Sequence, residues 1–369
     1  MNYKETLFFI AKSLTISFEE KNRDEIEFML KTTDIDWEAV VKVSTSHYVF
    51  PAVYCNFKRA DFLKYLPSDL VSYMKYITNL NRDRNTQILL QAHELNKLLL
   101  ASNITPIFLK GTGNLLEGLY EDIGERMIGD IDFIVPKGEY KKAIEKLSDD
   151  GYNTISKSKY FFPEFIHHPR LIKEGNIAAV EVHKEFLIDK YSKEFNYDLI
   201  CKKIKEINGV TILSFEDQLA LSIIATQIND YGYEYKNIVL RNAYDVFLLS
   251  KKTNTNSTIM KFKKLRHPLN CFLASCFFSF GEINSLKYIK TKESEIYLKT
   301  FKKLLNNDRY RRFRFHLIHK YIFIKTRMNI LYKSIFNKQY RVWLLNRISD
   351  KNWQRKKLVQ LGLKKNLKN

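Results

Sequence analysis

One segment limits what this chain can fold into more than any other: Gly129-Asp130-Ile131-Asp132-Phe133-Ile134-Val135, stopped by Pro136. Its apolar run has the length of a buried strand. Side chains of a strand alternate between faces, so Asp130 and Asp132 share one face while Ile131 and Phe133 share the other. Two carboxylates that close repel each other, and burial worsens the repulsion unless a cation neutralises them. On its own, a D-x-D is better explained by a strand end with exposed acids. Three neighbouring features argue for a site instead. The flanks of the pair are strongly apolar, which places the strand centrally. The run Thr105-Pro106-Ile107-Phe108-Leu109-Lys110 precedes it and turns at Gly111-Thr112-Gly113 into a helix N-terminus, a setting suited to phosphate. A third acid, Glu181, lies in the β-like run Ile177 to Phe186, where it shares a face with His183. Hard oxygen ligands suit Mg²⁺, which couples one or two carboxylates to substrate phosphates. Asp130, Asp132 and Glu181 together fit a site for two Mg²⁺ ions, one activating an attacking hydroxyl and the other holding a triphosphate.

Around these runs the periodicity is mostly helical. Residues 1–100 carry apolar residues at helical spacing, as in Leu7, Ile10, Ala11 and Leu14, and again from Asn85 to Leu100. The pattern then alternates: strand at 105–110, helix through Leu115 and Leu119, strand at 130–135, helix from Tyr140 to Leu147 closed by Gly151, strand at 177–186. Asn208-Gly209 between Ile204–Ile207 and Val210–Leu213 predicts a hairpin, and Ser214-Phe215-Glu216-Asp217 predicts a capped helix start. The expected architecture is α+β: an N-terminal helical region (1–100), a small mixed-sheet core (101–213), a basic C-terminal helical region (214–349) and a basic tail (350–369) that includes Arg355, Lys356, Lys357, Lys364 and Lys365.

Of the 369 residues, 45% are hydrophobic and 28% charged, with only 12 Gly and 7 Pro, which excludes a disordered or collagen-like chain. The net charge of +20 is uneven. From Lys251 onward there are 30 Lys and Arg against 5 Asp and Glu, whereas residues 1–250 hold 31 against 36. A basic third on a mildly acidic body points to a polyanion: RNA, DNA, nucleotide phosphates or an anionic membrane surface. Arg309-Tyr310-Arg311-Arg312-Phe313-Arg314-Phe315 interleaves cations with aromatics, so Arg311, Arg312 and Arg314 are polyanion-binding candidates. For the aromatics themselves the leading expectation is a helical core stripe beneath a basic outer face. Cys55, Cys201, Cys271 and Cys276 form no CxxC pair, as expected of core thiols in a reducing compartment. The N-terminus lacks the basic start and cleavage site of a signal peptide, and the longest apolar run, Leu269 to Phe280, is short of a membrane span. A cytoplasmic protein without a transmembrane segment is expected.

Over roughly residues 35–250 the sequence resembles the nucleotidyltransferase fold of the DNA polymerase β-like superfamily, and within it the bacterial family described as uncharacterised nucleotidyltransferases. The resemblance rests on Asp36-Trp37, Ser46-His47-Tyr48-Val49-Phe50-Pro51, Asn85, Ile107 to Gly111, Arg126 before Gly129 to Val135, Glu181-Val182-His183, and Leu240-Arg241 with Asp245. It implies that Gly111 and Thr112 stand where the superfamily holds nucleotide phosphates. It also implies that Asp130 and Asp132 bind both metals, and that Glu181 is the third metal carboxylate, near the acceptor hydroxyl. The chain departs from the pattern at Thr112, in the longer gap before Asp130, and at Lys184, where the family often has Trp.

Several neighbouring residues keep more than one reading. Lys110 is a phosphate contact or a side chain snorkelling from the strand end. Arg126 is a triphosphate clamp or a loop ion pair. His183 orients Glu181, touches substrate or is a hydrogen-bonded core histidine, with His167 and His168 weaker candidates. Arg241 is a substrate or supporting residue, although its spacing from Asp245 suggests an ordinary helical salt bridge. The activity expected is transfer of an NMP group from an NTP such as ATP to an acceptor hydroxyl, with release of pyrophosphate. The acceptor would be an RNA recruited by the basic third, a small molecule, a saccharide or a protein. The competing expectation is a non-catalytic module on the same fold that docks on nucleic acid or a membrane surface.

Overall fold

The strand carrying Asp130 and Asp132 lies in the middle of a seven-stranded sheet in a computed structural model, which describes residues 1–155, 162–163, 165–187 and 191–360. Strand β1 (Ile107–Phe108) runs antiparallel to β2 (Asp130–Ile134). Strands β3 (Asn153–Thr154) and β4 (Leu171–Ile172) pair antiparallel, and β4 continues antiparallel onto β5 (Ala179–His183), which is parallel to β2. On the other side β7 (Val210–Ile212) is parallel to β1 and antiparallel to β6 (Lys205–Ile207), giving the order β3-β4-β5-β2-β1-β7-β6. This is the mixed sheet of an α+β fold, with helices on either side in sequence. The predicted strand at 105–110 narrows to two paired residues because Lys110 turns out of the sheet with φ of 52°. Asn208 and Gly209 both take positive φ, 51° and 75°, as the hairpin spacing requires.

Ahead of the sheet lie α1 (Tyr3–Ser13), α2 (Glu20–Thr32), α3 (Trp37–Ser46), α4 (Phe50–Arg59) and the 33-residue α5 (Ser68–Leu100), about 50 Å long. The apolar stripe of α5 is the one expected, but amides buried along the same face position the site. Asn81 donates to the Gly124 carbonyl at 2.8 Å and Asn85 to that of Arg126 at 2.7 Å. Gln91 bonds Ala178 in both directions at 2.9 and 3.1 Å, and Asn96 donates to Gly209 at 2.9 Å. Buried backbone groups need partners, so one helix holds the loop before β2, the entry to β5 and the hairpin tip.

The short α6 (Lys110–Leu116) follows β1, α7 (Tyr140–Asp149) follows β2, and α8 (Tyr197–Ile200) leads to the hairpin. Then come α9 (Phe215–Ile224), capped by Ser214, α10 (Gly232–Tyr235), α11 (Leu240–Ser250), α12 (Thr255–Met260), α13 (Arg266–Ser279) and α14 (Lys292–Asn306). One cluster of buried apolar side chains runs from Leu7 to Leu305. Cys55, Cys271 and Cys276 are buried as expected, while Cys201 is partly exposed.

Beyond this body lie α15 (Asp308–Phe336), α16 (Lys338–Ser349) and α17 (Lys351–Gln360). Here the core-stripe expectation fails. Helix α15 has no buried residue, and Phe313 and Tyr332 are each 64% exposed. Its helical period is real, but its outer face is left uncovered by the described residues. Lys364 and Lys365 of the tail fall outside those residues.

The loop entering β2 is clamped from several helices. Arg82 pairs with Asp122 at 2.7 Å, and Arg59 with the buried Glu125 at 2.6 Å. The Tyr244 hydroxyl donates to the other oxygen of Glu125 at 2.7 Å. Arg126 is buried and forks onto Asp245 of α11 at 2.9 and 2.8 Å, while its third nitrogen donates to the Met127 carbonyl at 2.7 Å. Removing one partner of such a pair strands a charge, so Asp245→Ala should cost about 3–5 kcal/mol in denaturant unfolding. The double variant with Arg126→Met should recover part of that loss.

His47, at the end of α3, accepts from the Leu240 amide at 3.2 Å and so caps α11. Burial lowers its pKa to about 4. The unfolded chain takes up this proton near pH 6.5 and the folded chain only near 4, so stability is lost as pH falls through that window. Melting temperatures across it should report a loss of about 3 kcal/mol, and His47→Asn should flatten the slope.

Candidate active site

The parallel register of β2 and β5 sets Asp132 beside Glu181, with Asp130 on the same face. Asp132 and Glu181 are buried at 7% and 6% exposure, and Asp130 is half-buried. Three acids meeting there need compensation, and the chain supplies it from two directions.

The first is the turn after β1. Leu109 still donates to the Asp132 carbonyl at 2.9 Å, extending the ladder. Lys110 then adopts the left-handed conformation, costing about 1–2 kcal/mol for an L-residue. In that conformation its ammonium reaches Asp132 Oδ1 at 2.6 Å and lies 4.0 Å from Glu181. Gly113 is required next, since a Cβ there would sit 2.8 Å from the Phe108 carbonyl oxygen. Gly111 packs against Ile128, and the Arg126 guanidinium carbon lies 3.5 Å from where its Cβ would be. The Thr112 hydroxyl is buried and donates to the Asp130 carbonyl at 3.3 Å. No side chain caps the start of α6, which leaves its first amides without an internal partner.

The second is Arg170, which sequence reasoning missed. Its Nε donates to Glu181 at 2.8 Å and a terminal nitrogen meets Asp130 at 2.8 Å, so one guanidinium bridges two acids. The antiparallel pairing of Leu171 with Val180 puts the preceding residue opposite Glu181. The clue in the sequence was the short run Arg170-Leu171-Ile172, too short to read as a strand. Arg170 is also the most accessible of these groups, its side chain 54% exposed.

His183 Nε2 donates to Asp132 at 2.8 Å, and its Nδ1 is buried without a partner among the described residues. Burial holds the ring below its ordinary pKa despite Asp132, so it is a neutral donor at neutral pH. His167 pairs with His183 through a β-bridge and lies 3.9 Å from Glu181, whereas His168 bonds the Pro169 carbonyl. Burial alone would raise the carboxyl of Asp132, but Lys110 and His183 outweigh it and hold it well below the usual range. Burial and the charge of Glu181 lift Asp130 above its ordinary value, with Arg170 opposing. Lys110 is burial-penalised yet held above its ordinary value by Asp132.

Ligand atoms of Asp132, Glu181 and His183 lie within 4.8 Å of one another, all three residues buried. With Asp130 alongside, the donor set is mainly hard oxygen and fits a divalent cation such as Mg²⁺.

The predicted Arg241–Asp245 pair does not form. Asp245 belongs to Arg126 and to the Tyr120 hydroxyl, so the more deeply buried of the two guanidiniums takes the counter-charge. Arg126 is therefore the loop ion pair of the two readings. Arg241 instead lies over the Tyr48 ring at 4.9 Å, with its Nε buried and unpartnered among the described residues. Asp230, also missed from sequence, is solvent-exposed and lies within electrostatic reach of Lys110 and Arg241, whose charges oppose the upward shift that partial desolvation gives its carboxyl. The polyanion candidates sit on α15. Arg311 stacks on Tyr3 at 3.7 Å, Arg314 donates to the carbonyls of Tyr235 and Glu234 at 2.9 Å, and Arg312 is exposed.

No curated protein and no solved structure matches the chain. The model of the family described as uncharacterised nucleotidyltransferase matches residues 33–278, spanning α3, the whole sheet and nearly all of α13. That stretch contains every residue of the acidic site and supports a general role in nucleotidyl transfer. The chain belongs to the uncharacterised nucleotidyltransferase family.

Proposed function

We propose that the protein is a metal-dependent transferase that moves an NMP group from a nucleoside triphosphate to an acceptor hydroxyl. One observation carries the reading: Asp132 and Glu181 are neighbours across β2 and β5, on the face that also holds Asp130, directly beside the Lys110-Gly111 turn. A structural ion-pair network does not need three acids converging on a largely buried patch.

Asp130, Asp132 and Glu181 would hold the divalent ions, expected to be two Mg²⁺. These would supply charge neutralisation at the phosphate and acidify the acceptor hydroxyl. Lys110 and Arg170 neutralise the acids in the structure described. With the acids engaged elsewhere, both cations become free to pair with the triphosphate. The uncapped amides at Gly111 and Thr112 face the same task, and Arg241 offers a guanidinium without a carboxylate among the described residues. Glu181 accepts the proton of the acceptor hydroxyl, whose oxygen forms the new bond to the α-phosphorus. The bond from that phosphorus to the bridging oxygen breaks, and pyrophosphate leaves with its electron pair. His183, neutral and fixed on Asp132, keeps that carboxylate oriented and ionised.

The test is label transfer from α-labelled NTPs to fractionated cell extract in Mg²⁺. Asp132→Asn should lower transfer at least about a thousand-fold, the loss of several kcal/mol of charge stabilisation. Undiminished transfer by the variant would sink the assignment. A wild type that transfers nothing, with a melting temperature unmoved by Mg²⁺ and NTP, would favour the non-catalytic module.

A further inference from the structure

Past Asn307 the chain leaves its buried body as α15, a helix of 29 residues and about 43 Å. One side of it is committed. Arg314 is tied to the carbonyls of Tyr235 and Glu234, and Phe315 stacks on Tyr235 at 5.0 Å. At the other end α16 meets the body where Phe162 packs edge-on against Tyr340 and Trp343 at 5.5 and 5.1 Å. Arg311, Arg314, Ile318, Ile322 and Thr326 are accordingly among the partly covered residues of α15.

The opposite side is apolar and bare. Phe313, Leu317, Tyr321, Ile324, Met328, Leu331 and Ile335 recur every three or four residues and so form one stripe. Their exposure runs from 47% at Leu331 to 64% at Phe313 and Ile335. Val342, Leu345 and Ile348 of α16 are exposed as well. A contiguous surface of this kind marks an interaction site.

We propose that the α15–α16 arm docks on an anionic lipid surface. Between 308 and 360 the chain has fifteen Lys and Arg and only Asp308 and Asp350 as acids, so its occupant is anionic. Lys320, Lys325 and Arg327 are exposed at the edges of the stripe, and Arg312 is exposed farther round the helix. A second copy of the chain would set like-charged rims against each other with a single acid per α15 to offset them. RNA would satisfy the rim, but bases stack on aromatic faces, which leaves Leu317, Ile324, Met328, Leu331 and Ile335 unmatched. An anionic bilayer meets both demands: the stripe enters the acyl boundary while the cations stay among headgroup phosphates. No helix of the described residues is long and apolar enough to cross a membrane, so the arm lies on the surface.

The experiment is sedimentation of the full chain with phosphatidylcholine vesicles and with vesicles of equal parts phosphatidylcholine and phosphatidylglycerol. The wild type should bind the anionic vesicles, more weakly as salt rises, and ignore the neutral ones. Joint replacement of Leu317, Ile324, Met328 and Leu331 by Gln should weaken binding at least about a hundred-fold. The melting temperature should stay unchanged, because those side chains are already exposed. Joint replacement of Arg312, Lys320, Lys325 and Arg327 by Gln should weaken it about a hundred-fold or more. A wild type that does not bind anionic vesicles, or a stripe variant that binds them as well as wild type, overturns the proposal. So does a stripe-dependent dimer indifferent to vesicles, which would assign the face to a second copy. Tight RNA binding that needs the four cations, with vesicles ignored, would assign it to nucleic acid. No readout involves catalysis, so the outcome is independent of the NMP-transfer reading.

Discussion

Three carboxylates held on one face of a sheet repel one another, and the arrangement around them is organised by that repulsion. Lys110 accepts a left-handed backbone to place its ammonium on Asp132. Arg170 spans Asp130 and Glu181 from the neighbouring strand, and His183 contributes a neutral donor rather than another charge. The strain at Lys110, about 1–2 kcal/mol, is offset by a charge-assisted hydrogen bond in a protected setting. The cations that neutralise the acids are also the groups chemically suited to phosphate. In the proposed reaction the same charges would serve the protein alone and the protein with a nucleotide.

Holding the acids at that separation requires a rigid approach to β2, and the helices provide it. The loop before the strand is pinned by Asn81 and Asn85 of α5, by Arg59 of α4, and by Tyr244 and Asp245 of α11. Asp245 is 119 residues from its partner Arg126, so the strand that carries the site depends on a helix well beyond the sheet. His47 and Tyr48 extend this support, one capping α11 and the other lying against Arg241 on it. The continuous core from Leu7 to Leu305 and the family match over 33–278 both fit a folded unit larger than its sheet.

The surplus positive charge belongs elsewhere. Around the acids, cations are few and paired; on α15 to α17 they are many and mostly face solvent. The same arm bares aliphatic side chains that no described residue covers. One part of the molecule gathers three acids and their counter-cations in a largely buried site, and another combines exposed cations with exposed apolar side chains.

Local rules in the sequence determined much of this protein. Alternation alone put Asp130 and Asp132 on one face, and Asn208-Gly209 and Ser214 fixed a hairpin and a helix start through backbone conformation and capping. Their physics reaches only a few residues along the chain. The tertiary structure decided which charges meet. Asp245 has Arg241 within one helical turn but pairs with Arg126, the more deeply buried of the two guanidiniums, which arrives from a loop 119 residues away. Arg170 became a site residue only through the register of β4 on β5, which two residues of strand cannot announce. Whether the stripe of α15 is core or surface was decided the same way: periodicity reports that a face is apolar, and only the packed chain reports whether anything covers it.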